Sequence, residues 1–152
     1  MRQLMNIREA NLNDRNEWAR MRQSLWNSSL EQHLEEIDLY FANNARNIVN
    51  VLVLERNNDK LGGFIKLNIR NYAEGSNSGQ VPYVEGWYVD RDLRNQGYGR
   101  QLIAMAEKWA VQNGFDELAS DAELENFSSI AIHKALGFQE VERIVCFIKQ
   151  LT

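Results

Sequence analysis

Val84-Glu85-Gly86-Trp87-Tyr88-Val89 is followed by Arg94-Asn95-Gln96-Gly97-Tyr98-Gly99 and then by an amphipathic segment. This reads as a strand, a glycine-punctuated turn and a helix. The first amides of a helix lack intrahelical partners, and the aligned peptide dipoles put partial positive charge there. A pyrophosphate suits such a point. Gly97 and Gly99 let the backbone come close to a ligand with no Cβ in the way. Arg94 and Arg100 add a cation on either side. No Gly-Lys-Ser/Thr follows, so a triphosphate-binding P-loop is excluded. Two glycines outside an early βαβ unit do not make a dinucleotide fingerprint either.

A second block begins 27 residues after Gly99. It runs Asn126-Phe127-Ser128-Ser129-Ile130-Ala131-Ile132-His133-Lys134-Ala135-Leu136-Gly137-Phe138. The pattern Arg-x-x-Gly-x-Gly after a Tyr-Val strand end, then an asparagine, a short helix and Leu-Gly-Phe, resembles the GCN5-related N-acetyltransferases (GNAT). The order and separation of the blocks match as well. A narrower resemblance runs nearly end to end, to the chromosomal-type aminoglycoside 6′-N-acetyltransferases. It is carried by Leu25-Trp26, Ile69-Arg70 with Tyr72, Val84-Glu85-Gly86, Ser120-Asp121-Ala122, His133 to Phe138 and Glu140-Val141-Glu142-Arg143.

Acetyl transfer from a thioester to an amine sets four requirements. The acetyl donor must be held, the amine neutral, the oxyanion stabilised and the leaving thiolate protonated. The resemblance implies acetyl-CoA as cosubstrate. Its pantetheine arm would lie along the backbone of Trp87, Tyr88 and Val89 like an added strand, where the family's sheet splays open, with an N–H near Val89 as oxyanion donor. The pyrophosphate would meet the turn at Arg94 and Asn95 and the amides of Gln96, Gly97, Tyr98, Gly99 and Arg100. Asn126 either reaches the pantetheine, caps the following helix, or does both. For the amine, carboxylates at strand ends are the chemistry to look for. Glu85 lies on the strand that runs into the turn, and Asp121 lies directly beyond the next strand. The resemblance places Trp26, Tyr72, Glu85, Asp121 and Glu142 against the acceptor. Asp121 is also suited to cap a helix, and Glu142 to a solvated strand face.

Asp121, Glu85 and His133 are therefore the candidate catalytic residues. His133 is a departure from the wider family, most of whose members have a tyrosine as the acid there. A histidine titrates near neutrality and can serve, or it can simply pack. Two further departures bear on substrate. The segment from Ser76 to Pro82 differs from the relatives' Ser-Ser-Pro-Val pattern, and Lys66 stands where they tend to have a carboxylate. A lysine there disfavours a polycation. Three acceptors stay open: an aminoglycoside or similar polyamine, a different amine such as a diamine or peptide N-terminus, or none, in a non-catalytic acyl-CoA-binding module.

The elements that must position these residues form one α/β domain over residues 1–152, a mixed sheet with helices on both faces in the order β-α-α-β-β-β-α-β-α-β. A strand is predicted at residues 5–9. Asp14-x-x-Glu17 and Ser29-x-x-Gln32 read as capping boxes for two helices. Strands follow at 49–54 and 61–72, with Gly62-Gly63 as a bulge or a close backbone approach. A polar loop at 73–79 joins them to the strand carrying Pro82 and Glu85. A helix spans 100–113, with Leu102, Met105, Ala106, Trp109 and Ala110 as its buried stripe and Gly114 as its stop. A short strand at 117–120, a helix at 126–136 and a last strand at 141–148 complete the fold.

The chain's 152 residues suffice for a real core, and 44% hydrophobic with 25% charged residues is ordinary for a globular protein. A net charge of −4 argues against a nucleic-acid partner. No run is long enough for a membrane span, and Met1-Arg2-Gln3-Leu4-Met5-Asn6 lacks the apolar stretch of a leader. The lone Cys146 fits a reducing cytoplasm and reads as a buried hydrophobe. His33, His133 and Cys146 lack zinc-ligand spacing, so no metal is expected. Ile144-Val145-Cys146-Phe147-Ile148 is apolar on both faces of its strand. With the relatives' dimers in view, this predicts a homodimer through the C-terminal region.

Overall fold

The computed structural model describes residues 5–152. Part of the N-terminal segment discussed above, residues 1–4, lies outside them. The strands are β1 (Ile7–Glu9), β2 (Asn50–Glu55), β3 (Leu61–Arg70), β4 (Val81–Val89) and β5 (Ala119–Ser120). The helices are α1 (Arg15–Leu25), α2 (Leu30–Phe41), α3 (Tyr98–Gln112) and α4 (Phe127–Ala135). The sheet order is β1-β2-β3-β4-β5. β1 to β4 form an antiparallel meander, and β5 joins β4 in parallel.

Alternation along β3 divides the core. Phe64 packs with Trp18, Met21 and Ile37 of α1 and α2 on one face. Its neighbour Ile65 packs with Leu102, Ile103 and Ala106 of α3 on the other. Successive strand side chains point to opposite faces, so each face needs its own cover. The α3 stripe packs as its spacing predicts, with Leu102, Ala106 and Ala110 buried and Met105 and Trp109 packed at its flank.

Two irregularities matter for the site. Leu54 pairs with Gly63 while Glu55 pairs with Leu61. Gly62 is thus the extra residue of the expected bulge. A second bulge falls where Lys66 pairs with Gly86 and Leu67 with Val84, leaving Glu85 as the extra residue. A bulge shifts the phase of every later side chain in its strand. Trp87 therefore joins the α3 side of the core, and Gly86 meets the indole of Trp26, with Tyr88 against the α1 side.

Some local expectations need correction. Ser29 and Gln32 do form a reciprocal capping box. The box expected at Asp14 and Glu17 sits one turn earlier, at Asn11 and Asp14. The Asp14 carboxylate is taken by the Asn11 N–H and by Arg8, while Glu17 accepts the Leu61 N–H. The largest correction concerns the last strand. Residues 139–152 form no strand or helix, and all are exposed. Phe147 is 91% and Ile148 89% exposed, and Cys146 is exposed rather than buried. The β propensity of this arm is real, but no described strand offers it a partner.

Candidate functional site

The candidate site lies where β4 and β5 separate. β5 pairs with β4 only at Tyr83–Ala119 and Val84–Ser120. Beyond Val84, β4 continues to Val89 against β3 alone, so Trp87, Tyr88 and Val89 have no neighbouring strand on the β5 side among the described residues. An extended thioester arm can add to such an edge through main-chain hydrogen bonds.

The chain leaving β4 is held firmly. Asp90 is buried and accepts from Arg20 Nη1 at 3.0 Å, Arg20 Nη2 at 3.1 Å and Arg56 Nη2 at 3.1 Å. Burial alone would raise its pKa, but the two guanidiniums hold it below the usual carboxylate range. Arg94 Nε donates to the Val89 carbonyl at 2.8 Å, and Gln96 Nε2 to the Asp92 carbonyl at 3.0 Å. Asn95 and Gly97 both take positive φ, at 63° and 91°. Gly97 is the N-cap residue of α3, and it has no side chain with which to cap that helix. Tyr98 points inward against Leu54 and Leu93, so its contribution to the turn is its backbone. Arg100 is exposed and forms no ion pair with a described residue. A Cβ at Gly99 would lie 3.2 Å from Trp87 Cζ2, so this glycine seats Trp87 under the start of α3. An uncapped, positively poled helix start below an open strand edge fits the two ends of an acyl-CoA.

Near the point where β4 and β5 part, the side chains of Arg70, Tyr83, Glu85 and Asp121 meet. Arg70 gives Glu85 a two-pronged ion pair, Nε to Oε1 at 2.6 Å and Nη2 to Oε2 at 3.0 Å. The Arg70 guanidinium lies 3.5 Å from the Tyr83 ring centroid. The Tyr83 hydroxyl donates to Asp121 Oδ2 at 2.9 Å. Burial first, then the neighbouring Asp121 carboxylate, pushes the Tyr83 hydroxyl well above its ordinary pKa. Glu85 and Asp121 are thereby joined through Arg70 and Tyr83, with Asp121 exposed at the end. Arg70 belongs to the motifs quoted above, but the sequence assigns no role to it or to Tyr83. The available signal was the alternation that puts Tyr83 and Glu85 on one side of β4.

His133 is engaged at both ring nitrogens. Nδ1 lies 2.7 Å from the Ser129 carbonyl, and Nε2 lies 2.8 Å from Ser120 Oγ. A carbonyl only accepts, so Nδ1 carries a proton. The ring packs edge-on against Trp87 and Phe138, with centroids 5.5 and 5.1 Å away. Asn126 caps α4, its Oδ1 accepting the Ser129 N–H at 3.1 Å. Trp26, half-buried at the end of α1, sits over Gly86, where an added Cβ would lie 2.5 Å from Cη2. Lys66 is buried and places Nζ 4.6 Å from the Trp26 ring centroid. Desolvation, with help from Arg22, pulls its pKa down, and Glu36 and Glu85 oppose this. Tyr72 and Glu142 are exposed and make no hydrogen bond or ion pair with a described residue. Neither hydrogen-bonds Glu85 or Asp121; Ala73, next to Tyr72, packs with Tyr83, and Val141, next to Glu142, lies against Gly75.

A family profile for the acetyltransferase (GNAT) family matches residues 16–138. An aminoglycoside N(6′)-acetyltransferase type 1 from Klebsiella aerogenes is 38% identical over 146 residues, covering 95% of this chain and 96% of the relative. The crystal structure of the aminoglycoside 6′-N-acetyltransferase AAC(6′)-IG from Acinetobacter haemolyticus superposes with a TM-score of 0.86 at 34% identity, covering 97% of this chain and 100% of the other. AAC(6′)-Iy in complex with the bisubstrate analogue CoA-S-monomethyl-acetylneamine superposes with a TM-score of 0.88 at 31% identity, covering 97% of this chain and 99% of the other. The chain belongs to the GNAT acetyltransferase family. It is an acetyl-CoA-dependent N-acetyltransferase, similar along nearly its whole length to the enzymes that acetylate aminoglycosides.

Proposed function

We propose that this enzyme, with residues 1–152 as its acetyltransferase domain, acetylates the 6′-amine of an aminoglycoside or similar polyamine by direct attack within a ternary complex. One observation carries the reading: the unpaired β4 edge beyond Val84 leads directly into the uncapped start of α3, opposite a cluster of carboxylates. When bound, acetyl-CoA supplies the activated acetyl group. The backbone of Trp87, Tyr88 and Val89 holds its pantetheine arm and offers an amide to the developing oxyanion. The turn from Arg94 to Arg100 holds its phosphates. Asp121, fixed in place by the Tyr83 hydroxyl, attracts the acceptor ammonium and takes its proton; the freed amine then attacks the acetyl carbonyl, the C–S bond breaks, and the departing CoA thiolate takes a proton from water. Glu85, neutralised by Arg70, shapes the floor of the cleft. Trp26 supplies a flat wall for a sugar ring. His133 positions Trp87 and the start of α4 through its bonds to Ser120 and Ser129. With Nε2 accepting from Ser120, the ring has no proton pointing to the cleft in that tautomer. No metal is needed for these roles.

The arm at 139–152 supports a homodimer. It exposes Val145, Phe147, Ile148 and Leu151 together, and among the described residues β5 has no partner on its outer side. A bare edge and an unpaired apolar segment are complementary. A second copy of the chain satisfies both, bringing Glu142 to an acceptor site. The small-molecule acceptor and the enzyme's place in the cytoplasm follow from the same reading. No described helix is long and apolar enough to cross a membrane.

Thiol release from acetyl-CoA with kanamycin-type compounds bearing a 6′-amine or a 6′-hydroxyl tests the acceptor. Release is expected with the amine only. Equal rates, or binding of acetyl-CoA with no release for any amine, would refute the assignment. Light scattering at micromolar concentration tests the dimer.

A further inference from the structure

The cations beside Trp26 carry an inference about acceptor choice, which rests on the function proposed above. Arg22 of α1 and Lys66 of β3 both lie against the Trp26 indole, with Lys66 Nζ 4.6 Å and Arg22 Cζ 5.1 Å from its centroid. Arg22 is 2% and Lys66 7% exposed. Among the described residues no carboxylate lies within 4.0 Å of Lys66. The acids that act on it are committed elsewhere. Glu36 pairs with Arg22, and Glu85 is held by both prongs of Arg70. Arg22 Nη1 and His33 Nε2 are buried without a hydrogen-bond partner among the described residues. The wall beside Trp26 thus carries one cation without a paired carboxylate, Lys66, backed by the Arg22–Glu36 pair.

We propose that Lys66, with Arg22 behind it, makes the Trp26 end of the acceptor groove a charge filter. It takes an uncharged, hydroxyl-bearing ring and turns away ammonium groups. The reasons are local. Lys and Arg have donors and no acceptors, so they are satisfied by hydroxyl oxygens and not by another ammonium. A sugar ring presents such oxygens while its apolar edges rest on the indole. An ammonium placed there would face like charge across a poorly solvated gap, where repulsion is much stronger than in water. Selection of this kind works by penalising the wrong ligand. Lys66 is therefore a specificity determinant. It narrows the acceptors to amines carried on a body that is neutral at its Trp26 end.

The test uses calorimetric titration of kanamycin, with several ammonium groups, and of 6-amino-6-deoxyglucose, with one. Each is titrated into the native enzyme, Lys66→Met and Lys66→Glu. Acetyl-CoA affinity, expected unchanged, reports that each variant is folded. Kanamycin affinity should rise several-fold in Lys66→Met and at least tenfold in Lys66→Glu, and the gain should shrink with added salt. The single amine should gain threefold at most. Kanamycin affinity equal in all three proteins, or lowered in both variants, would overturn the filter. Thiol release is followed in parallel. Its absence with every amine, beside intact calorimetric shifts, would overturn acetyl transfer and leave the filter standing.

Discussion

The proposed site has two halves, one for the acetyl donor and one for the acceptor, and they are built on different principles. The donor half is made of backbone. Its elements are an open strand edge, two residues at positive φ and an uncapped helix start, all contained in one run from Trp87 to Arg100. The acceptor half is made of side chains from α1, β3, β4 and the turn after β5, joined as Glu85–Arg70–Tyr83–Asp121 and as Arg22–Trp26–Lys66. A backbone site tolerates change in most side chains and fails at its glycines. A side-chain site fails at any member of its network, and it can be retuned one residue at a time.

The sharpest break in this comparison should come at Asp121. Asp121→Asn keeps the shape and the Tyr83 hydrogen bond but removes the charge. A loss of about a hundredfold in kcat/KM for the amine is expected, the low end of what a positioned base contributes, with acetyl-CoA affinity unchanged. Full activity on every amine would reduce Asp121 to an anchor for Tyr83. Gly97→Val is the counterpart in the donor half. Nothing in the protein lies within 4 Å of a Cβ there, so the damage comes from the positive φ and from the ligand's approach. Acetyl-CoA should bind about tenfold more weakly, roughly the 1–3 kcal/mol of one strained residue. Calorimetry on the folded variant decides it.

Smaller effects should stay within their own half. In Gly86→Ala the new methyl group collides with Trp26, so the indole must shift. The acceptor KM should rise about fivefold while acetyl-CoA affinity holds, since the lost contact is worth roughly 1 kcal/mol. A matching loss of acetyl-CoA affinity would show the halves to be coupled. The smallest effect on activity, read as stability instead, concerns the scaffold both halves share. Asp90 has its pKa lowered in the fold, so its contribution is complete above its unfolded value, about 4. It fades as pH falls through the lower folded value. Asp90→Asn should cost about 2 kcal/mol at neutral pH, typical of hydrogen bonds to a charged group. It should also flatten the acid limb of the stability curve, as followed by urea unfolding from pH 7 downward.

The sequence by itself determined the local elements of the proposed donor half and most of the fold. Gly97, the Tyr-Val strand end and the α3 stripe are local patterns, and local backbone preferences dictate what they build. The Ser29–Gln32 box, the Gly62 bulge and the Asn126 cap are of the same kind. Tertiary structure alone decided three things. The Glu85 bulge sets which side chains beyond it face Trp26 and which face α3, and a one-residue shift of phase is invisible in composition. The partners of Glu85, Asp121 and His133 come from 15, 38 and 13 residues away, so pairing waits until the sheet is assembled. Finally, the arm at 139–152 has the β-branched and aromatic residues of a strand but pairs with no strand among the described residues. Strand propensity describes a fit to a pleated neighbour rather than a property of the chain alone. The physical division is the same in each case. Patterns satisfied within a few residues can be read in order, whereas hydrogen bonds and charges satisfied across the sheet depend on which strands meet.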